Sequence, residues 1–520
     1  LEADDVQREY IKEASERICQ CLKKDFAPFL THLLPGIFKS LRIDDLGEAA
    51  PASSGADDDY DPEYIQVSTG GGNIVRVKTQ KFEEMMQSVQ LLHTFCTEME
   101  GGFFDFVTDT AKILHPLLSA TDEISMLCNE VRGTALQVWA LLIKAARLGA
   151  QERGQSIDIA KELLRTGIQA TFLQLELTKE PDAEMLQELS SGLCECIKNV
   201  GPGVLGNEEI QGLTQRIFVL VDQSFARSAE FEKDKTKAKQ EASSLPQELG
   251  GDDDDEEADP EADEEQLRRN YEECLGAMMK VSPAEFMPCL PLCAQRIQQW
   301  VSTKQNKVLA LYLACDLLDN LKDHSESAWP TFMPQLFQSL GDADPDARTA
   351  AAYAVNLAAP LNRFAEAAPE AFKRLAQLVS APRPKKRDDK AKLAMDNAVA
   401  ALLSMAKEKP TLCPPEIQAW DLILARLPLT DDEEEAKKVH DKIVDLVVEG
   451  NQGLLGGSER KNLGPVLAIL AEIYHVEGIC TKDTEEKILK VFKMIPRDML
   501  LSLATRFSEK QQKKIEKMLS

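Results

Sequence analysis

The sequence predicts an all-α protein built from repeated helix pairs, and three observations support this. Apolar residues recur at spacings of three and four along most of the chain, which is the spacing of one helix face. Aromatic residues make up only 6% of the 520 residues, which disfavours a β-sandwich or a β-barrel. Helical segments alternate with short breaks at a period of about 40 residues, as in helix-pair solenoids.

This period is typical of HEAT or armadillo repeats. The chain is too long for one compact core, because such cores stop growing at about 250–300 residues. A single helix pair cannot bury its apolar face alone, so neighbouring pairs must stack. We therefore expect a HEAT-repeat solenoid, a right-handed superhelix of antiparallel helix pairs, with one row of helices lining its concave side.

Along the chain, the pattern predicts five segments. Helices fill residues 1–43, repeats fill residues 79–228, and repeats fill residues 266–520 to the end of the chain. Two interruptions separate them: an acidic insert with a β-hairpin at residues 44–78, and an acidic, disordered-type insert at residues 229–265.

The two interruptions carry most of the net charge of −27. Residues 44–63 contain eight acidic and no basic residues, and residues 229–265 contain sixteen acidic residues against four lysines. Both read as solvated acidic loops between helices. They would serve either solubility or the transient binding of a basic partner.

A small β-hairpin is predicted at residues 64–78. Two alternating, β-prone runs flank a turn that contains Gly70, Gly71, Gly72 and Asn73. A phosphate-binding loop is the weaker interpretation, because the Gly-Lys-Ser/Thr ending is missing.

The clearest repeat lies at residues 329–359. Its break, at residues 341–346, combines a helix stop, a turn and a new N-cap. Asp346 and Arg348 open the second helix, where they can join one repeat to the next. A second copy opens at Val131-Arg132. We assign Arg132, Asp346 and Arg348 to the solenoid itself.

The sequence contains no motif of an enzyme. There is no G-x-S-x-G elbow, H-E-x-x-H pair, phosphate loop or kinase signature. The 12 cysteines form no C-x-x-C pair, and the six histidines are far apart, so neither a metal site nor a cofactor is expected.

Membrane insertion and nucleic-acid binding are also disfavoured. No run approaches 18 uncharged apolar residues, and the chain as a whole would repel phosphates. The chain lacks a starting Met and opens almost directly into a helical pattern, so we expect a fragment of a longer protein.

A basic stretch interrupts this acidic chain at residues 382–387. Its charged members are Arg383, Lys385, Lys386 and Arg387. One interpretation is an exposed loop between helices. The others are a contact for an acidic partner or for the chain's own acidic insert, and a short nuclear-localisation peptide.

Several segments, in order along nearly the whole chain, resemble the importin-beta (karyopherin-beta) family and, within it, the C-terminal half of the importin-five subtype. These segments are residues 26–43, 56–60, 74–79, 82–106, 252–265, 350–353, 396–399 and 427–435.

The resemblance implies a nuclear import receptor that works as a monomer and shuttles between cytoplasm and nucleus. Such receptors bind cargo proteins with basic localisation signals, Phe-Gly nucleoporins and the GTP form of the GTPase Ran. The main Ran and cargo sites of the family lie in repeats that are largely missing here, so this chain would supply secondary contacts.

Trp139, Asp396 and Asn397 are the candidate cargo or partner contacts on the inner helices. Trp139 is flanked by Leu136, Leu142 and Ile143, so a place in the core is its alternative role. Asn397 lies beside alanine, where its amide could hydrogen-bond an extended peptide. The alternative for the whole chain is a non-transport HEAT scaffold that organises a multiprotein complex.

Overall fold

The computed structural model describes residues 7–42, 64–69, 73–119, 129–177, 183–242, 260–503 and 507–519. Helices dominate these residues, which confirms the helical prediction. The chain divides into two compact units, Leu1–Pro288 and Cys289–Ser520, which are described separately.

The first unit contains ten of the described helices. They are α1 (Gln7–Leu22), α2 (Ala27–Ser40), α3 (Thr79–Met99), α4 (Val107–Ser119), α5 (Asn129–Glu152), α6 (Asp158–Leu177), α7 (Ala183–Val200), α8 (Asn207–Ala242), α9 (Pro260–Val281) and α10 (Pro283–Phe286). Helices α1, α3, α5, α7 and α9 pack one against the next and form a row. Helices α4 and α6 pack on each other and on α5, so pairs stack as a solenoid requires.

Two short strands precede α3. Strand β1 (Tyr64–Thr69) pairs antiparallel with β2 (Asn73–Lys78), and the register sets Tyr64 opposite Lys78. They lie in the range where the sequence predicts a hairpin. The acidic residues 44–63 before them lie outside the described residues.

The second unit continues the pairing with thirteen described helices. They are α11 (Leu290–Trp300), α12 (Lys307–Asp316), α13 (Trp329–Ser339), α14 (Pro345–Ala358), α15 (Ala368–Ser380), α16 (Asp389–Glu408), α17 (Ala419–Leu424), α18 (Glu433–Val448), α19 (Gln452–Leu455), α20 (Leu463–Ile473), α21 (Lys482–Met494), α22 (Arg497–Leu503) and α23 (Glu509–Leu519). Helices α12, α14, α16, α18 and α21 pack in sequence, and we call them the second-helix row.

Small residues allow the helices of this row to approach closely. Ala351 and Ala354 of α14 are completely buried, as are Ala398 and Ala401 of α16. The distance between packed helices depends on the side chains at the contact, so alanine gives the shortest separation. Helix α16 is apolar almost all round because it packs on α14, α15, α17 and α18.

An oxygen-bearing side chain caps most helices of the second-helix row. Asp344, Asp388 and Asp432 accept the N–H groups that begin α14, α16 and α18, at 3.0, 3.1 and 3.0 Å. Thr481 does the same for α21 at 3.2 Å. Such caps satisfy N–H groups that have no partner within the helix.

The predicted acidic insert at residues 229–265 needs a correction. Helix α8 continues to Ala242 and α9 begins at Pro260, so both ends of this range are helical. The reason is composition: residues 229–242 are rich in Glu, Lys and Ala, which favour helices, and Asp234 pairs with Lys237 one turn on, at 3.0 Å. Residues 243–259 lie outside the described residues.

Candidate functional site

Trp139 lies in the core rather than on a contact surface. It is 2% exposed in α5, and its indole Nε1 donates a hydrogen bond to the Leu163 carbonyl at 2.8 Å. Gly167 makes room for the ring, because a Cβ there would lie 2.8 Å from Nε1. The prediction that Trp139 contacts cargo is therefore corrected: its alternative role, in the core, agrees with the structure.

Asp396 and Asn397 are buried too, with 6% and 4% exposure. The Asp396 carboxylate accepts the backbone N–H groups of Asp431 and Asp432 at 2.9 and 3.1 Å. The Asn397 amide donates to the Leu393 carbonyl at 3.0 Å and to the Asp432 carboxylate at 2.8 Å. Both side chains hold the turn before α18, so their predicted role as open contacts is corrected as well.

The three residues assigned to the solenoid do make structural contacts. Arg132 is 1% exposed, and its Nε donates to the Leu117 carbonyl at 3.1 Å. Asp346 pairs with Lys390 of the next repeat at 2.7 Å. Arg348 donates to the carbonyl of Asp342, in its own turn, at 2.7 Å.

The basic stretch lies in the exposed loop between α15 and α16. Arg383, Lys385, Lys386 and Arg387 are all exposed, as its first interpretation expects. Among the described residues, no carboxylate forms an ion pair with any of the four.

The structure also brings together polar residues that the sequence did not single out. In the second-helix row, Ser404 of α16 donates to the Asn356 amide oxygen of α14 at 2.5 Å. The Asn356 nitrogen lies 3.4 Å from a carboxylate oxygen of Glu435 in α18. Lys442 of α18 donates to Ser404 at 3.1 Å. This Asn356 network crosses three consecutive helices.

Tyr353 lies one turn before Asn356 on α14 and is half-buried. Burial raises the pKa of its phenol to about 12, and nearby Cys315, Asp319, Glu435 and Asp316 add to the increase. Carboxylates from α18, from α12 and from the π-helical turn after α12 are therefore near enough to act on the phenol through their charge. We call Tyr353, Asp316, Asp319 and Glu435 the acidic cluster.

The acidic cluster has the chemistry to bind a cationic side chain. An ammonium or guanidinium group gains from carboxylates and from the face of an aromatic ring. Asp319 is exposed, and no Lys or Arg of the described residues forms an ion pair with it. Burial lowers the pKa of the Lys442 ammonium in the same row, so the surroundings of α18 are partly shielded from water.

One signal in the sequence could have identified this cluster. Tyr353 and Asn356 are polar residues three apart, so they share one face of a helix otherwise filled with small apolar residues. Glu435 gave no such signal, because it stands in a run of acidic residues.

Metal binding and membrane insertion find no support in the described part of the chain. No group of three or more His, Cys, Asp or Glu residues there is placed to hold a metal ion. None of the helices there has the length and apolar character needed to cross a membrane.

Comparison with known proteins finds similarity to importins. Residues 185–301 match the family model described as Importin repeat 6. Importin subunit beta-3 of Saccharomyces cerevisiae is 20% identical over 531 residues, which cover 99% of this chain and 46% of the yeast protein. The chain thus spans about half the length of the curated relatives it matches.

Solved structures of Kap121p share the fold. The structure of Kap121p bound to RanGTP has a TM-score of 0.69 and 18% identity, and covers 99% of this chain and 45% of that one. The structure bound to Nup53p has a TM-score of 0.67 and 17% identity, and covers 99% and 44%. Sequence and fold together relate the chain to importin-beta proteins.

Proposed function

We propose that this chain is part of a nuclear import receptor, the C-terminal half of an importin-beta protein of the importin-five subtype, and that it binds basic cargo segments along its second-helix row. The relation to importin-beta proteins supports the first statement. The acidic cluster around Tyr353 supports the second.

The acidic cluster is the observation that carries the proposal. A lysine or arginine of an extended peptide would stack on Tyr353 and pair with Asp319, the exposed carboxylate of the cluster. Glu435 is 5% exposed and already accepts hydrogen bonds, so it would act on the cation through its field rather than by direct contact.

The other partners follow from the relatives. Structures of Kap121p were solved with RanGTP, with Nup53p and with Pho4p. We extend this to Ran in its GTP form, Phe-Gly nucleoporins and cargo proteins with basic localisation signals. The chain would act as a monomer that shuttles between cytoplasm and nucleus.

The test is the affinity of the chain for a labelled lysine-rich peptide, measured by fluorescence anisotropy. Replacing Asp319 with Asn removes an exposed charge, and replacing Tyr353 with Leu removes the aromatic face. We expect each change to weaken binding by about two- to fivefold, because exposed ion pairs and cation–π contacts are each worth roughly 0.5–1 kcal/mol.

Asp421→Asn is the matched control. Asp421 is exposed on α17, outside the second-helix row, and forms no ion pair among the described residues. It carries the same change of charge and should leave the affinity unchanged. Equal affinities for all three variants and the unmodified chain would refute the proposed cluster.

A further inference from the structure

A second charged surface, opposite in sign to the acidic cluster, lies at the turns that join helices within consecutive repeats. The exposed loop between α15 and α16 carries Arg383, Lys385, Lys386 and Arg387. It borders an open groove of about 620 Å³ that also reaches the turn between α13 and α14. We call this surface the basic groove.

The walls of the basic groove are cationic. Arg348 and Arg374 line it together with Pro382 and Pro384 of the loop. Within the described part of the chain, the hydrogen bonds of Arg348 go to the backbone carbonyls of Asp342 and Ala343, and no carboxylate forms an ion pair with it. Arg374 forms an ion pair with Glu370 at 2.7 Å, and both side chains of that pair are exposed, so water screens it.

Asp388 is the acidic residue that lines the groove. Its carboxylate accepts the N–H of Ala391 at 3.1 Å as the cap of α16, so it is committed to the helix end. One carboxylate in that position cannot balance the positive charges around it.

Like charges meet beside the loop. Arg426 donates to the carbonyls of Val379, at 2.6 Å, and Ala381, which fixes its guanidinium next to the start of the loop. Arg383 reaches the neighbouring Ala425 carbonyl at 3.5 Å. Burial and the charge of Arg383 both lower the pKa of Arg426. Among the described residues no carboxylate forms an ion pair with either guanidinium group, so a bound anion would be stabilised between them.

The floor of the groove is apolar. Leu340, Leu378 and Met395 line it beneath the charges. Leu378 is half-buried and accessible from the groove, whereas Leu340 and Met395 are 1% and 8% exposed. A ligand would therefore meet an apolar contact as well as charge.

The loop is stiff. Pro382 and Pro384 fix two of its backbone φ angles, and Ala381 has the extended φ and ψ of −59° and 154°. The Asp388 N–H donates to the Lys385 carbonyl at 2.9 Å and closes a turn at its end. A loop that is held in shape loses less conformational freedom when it binds a ligand.

From these contacts we infer that the basic groove binds an acidic linear peptide, rich in Asp and Glu, with an apolar side chain that packs on Leu378. The carboxylates would pair with Arg383, Lys385, Lys386 and Arg387, and the apolar side chain would enter the groove. This inference does not depend on the proposed function, which concerns a basic ligand at the acidic cluster around Tyr353.

A labelled acidic peptide that contains one leucine tests this inference by fluorescence anisotropy. Changing all four loop cations to Gln should weaken binding about tenfold or more, since each exposed pair contributes modestly and the four add. Leu378→Ala should weaken it about fivefold through the lost apolar contact. Added salt should weaken binding to the unmodified chain, because the ion pairs are exposed.

The matched control changes four other exposed lysines, Lys482, Lys490, Lys510 and Lys513, to Gln. They lie on α21 and α23 of the same unit, and the change in net charge is identical. Binding by this variant should equal that of the unmodified chain, and circular dichroism should show that both variants are folded.

Three results would overturn the inference. The first is a loop variant that binds the peptide as well as the unmodified chain does. The second is a control variant that loses as much affinity as the loop variant. In the third, a single-stranded oligonucleotide would bind the same loop more tightly than the peptide, which would make nucleic acid the ligand.

Discussion

Single buried polar residues hold the turns between repeats in the second unit. Asp396 and Asn397 hold the turn before α18 from one side. His440 holds it from the other: its Nε2 accepts the Leu429 N–H at 3.2 Å. Its Nδ1 therefore carries the proton and donates to the Ile479 carbonyl at 2.8 Å. The ring is completely buried and neutral, and burial lowers its pKa.

The burial of a neutral His440 ring predicts that the turn before α18 loses stability at acidic pH. The ring binds a proton more readily once the turn has opened, where its pKa returns to about 6.5. The closed turn therefore keeps its full stability above that pH and loses up to ~1.4 kcal/mol per pH unit below it. We expect the protection of the Leu429 amide against hydrogen exchange, corrected for the intrinsic rate, to fall between about pH 6.5 and 5.

Two variants check this assignment. His440→Gln should remove the pH dependence of Leu429 protection, while His475→Gln should keep it. His475 is an exposed histidine of the same unit, paired with Glu485 at 3.0 Å. A pH dependence that survives in His440→Gln would show that another group controls the turn.

At the residue scale, the sequence indicated which side chains make polar contacts, but it did not indicate how exposed those side chains are. An amide flanked by alanines on a helix fits an open groove as well as a buried turn, so Asn397 could not be placed without the neighbouring repeat. The same holds for Trp139, whose burial depends on the space that Gly167 leaves. Arg348 was expected to join one repeat to the next, but its hydrogen bonds go to carbonyls of its own turn, while Asp346 does make the link to the next repeat.

At the scale of the element, helix packing depends on alanine. Helix α14 packs on both α12 and α16, and Ala351 within it is completely buried. The periodic spacing of apolar residues was enough to predict α14 and α16, because both are long and strongly patterned. The extension of α8 to Ala242 was missed because a run of mixed charge was judged by its net charge, although its residues favour a helix.

Ala351→Leu tests the alanine packing. A larger side chain at a fully buried position must push the neighbouring helices apart, which costs about 1–3 kcal/mol. We expect the midpoint of urea unfolding, measured by circular dichroism, to shift to a lower urea concentration. Ala376→Leu, at a half-buried position of α15, should change the midpoint much less. Equal losses of stability in the two variants would mean that the close approach of helices within the second-helix row does not stabilise the fold more than packing elsewhere.

At the scale of the whole chain, charge is unevenly distributed. The two acidic ranges found in the sequence carry most of the net charge of −27, while the acidic cluster and the basic groove give the second unit local fields of opposite sign. The sequence predicted the repeats and the basic loop. Its pattern singles out only Tyr353 of the acidic cluster, because the other members come from α12, α18 and the turn after α12 and meet Tyr353 only in the folded chain.

Ran binding tests the proposed receptor function at the scale of the whole molecule. If the chain is the C-terminal half of a receptor, as proposed, the protein restored to the full length of its relatives should capture Ran in its GTP form selectively over its GDP form in a pull-down. Capture of neither form, or of both equally, would contradict the receptor assignment and favour the scaffold alternative.

The caps of the second-helix row have an evolutionary consequence. The capping residues Asp344, Asp388 and Asp432 are spaced 44 residues apart along the chain. Asp346 and Lys390, which form an ion pair, are separated by the same 44 residues. The blocks that begin at Asp344 and Asp388 each bring their own cap, and the Asp346–Lys390 pair links the first block to the second. Tandem duplication of the corresponding gene segment would therefore keep the caps in register, but it would set Asp346 against a second aspartate at the new junction, so a lysine would have to replace that aspartate to restore the link.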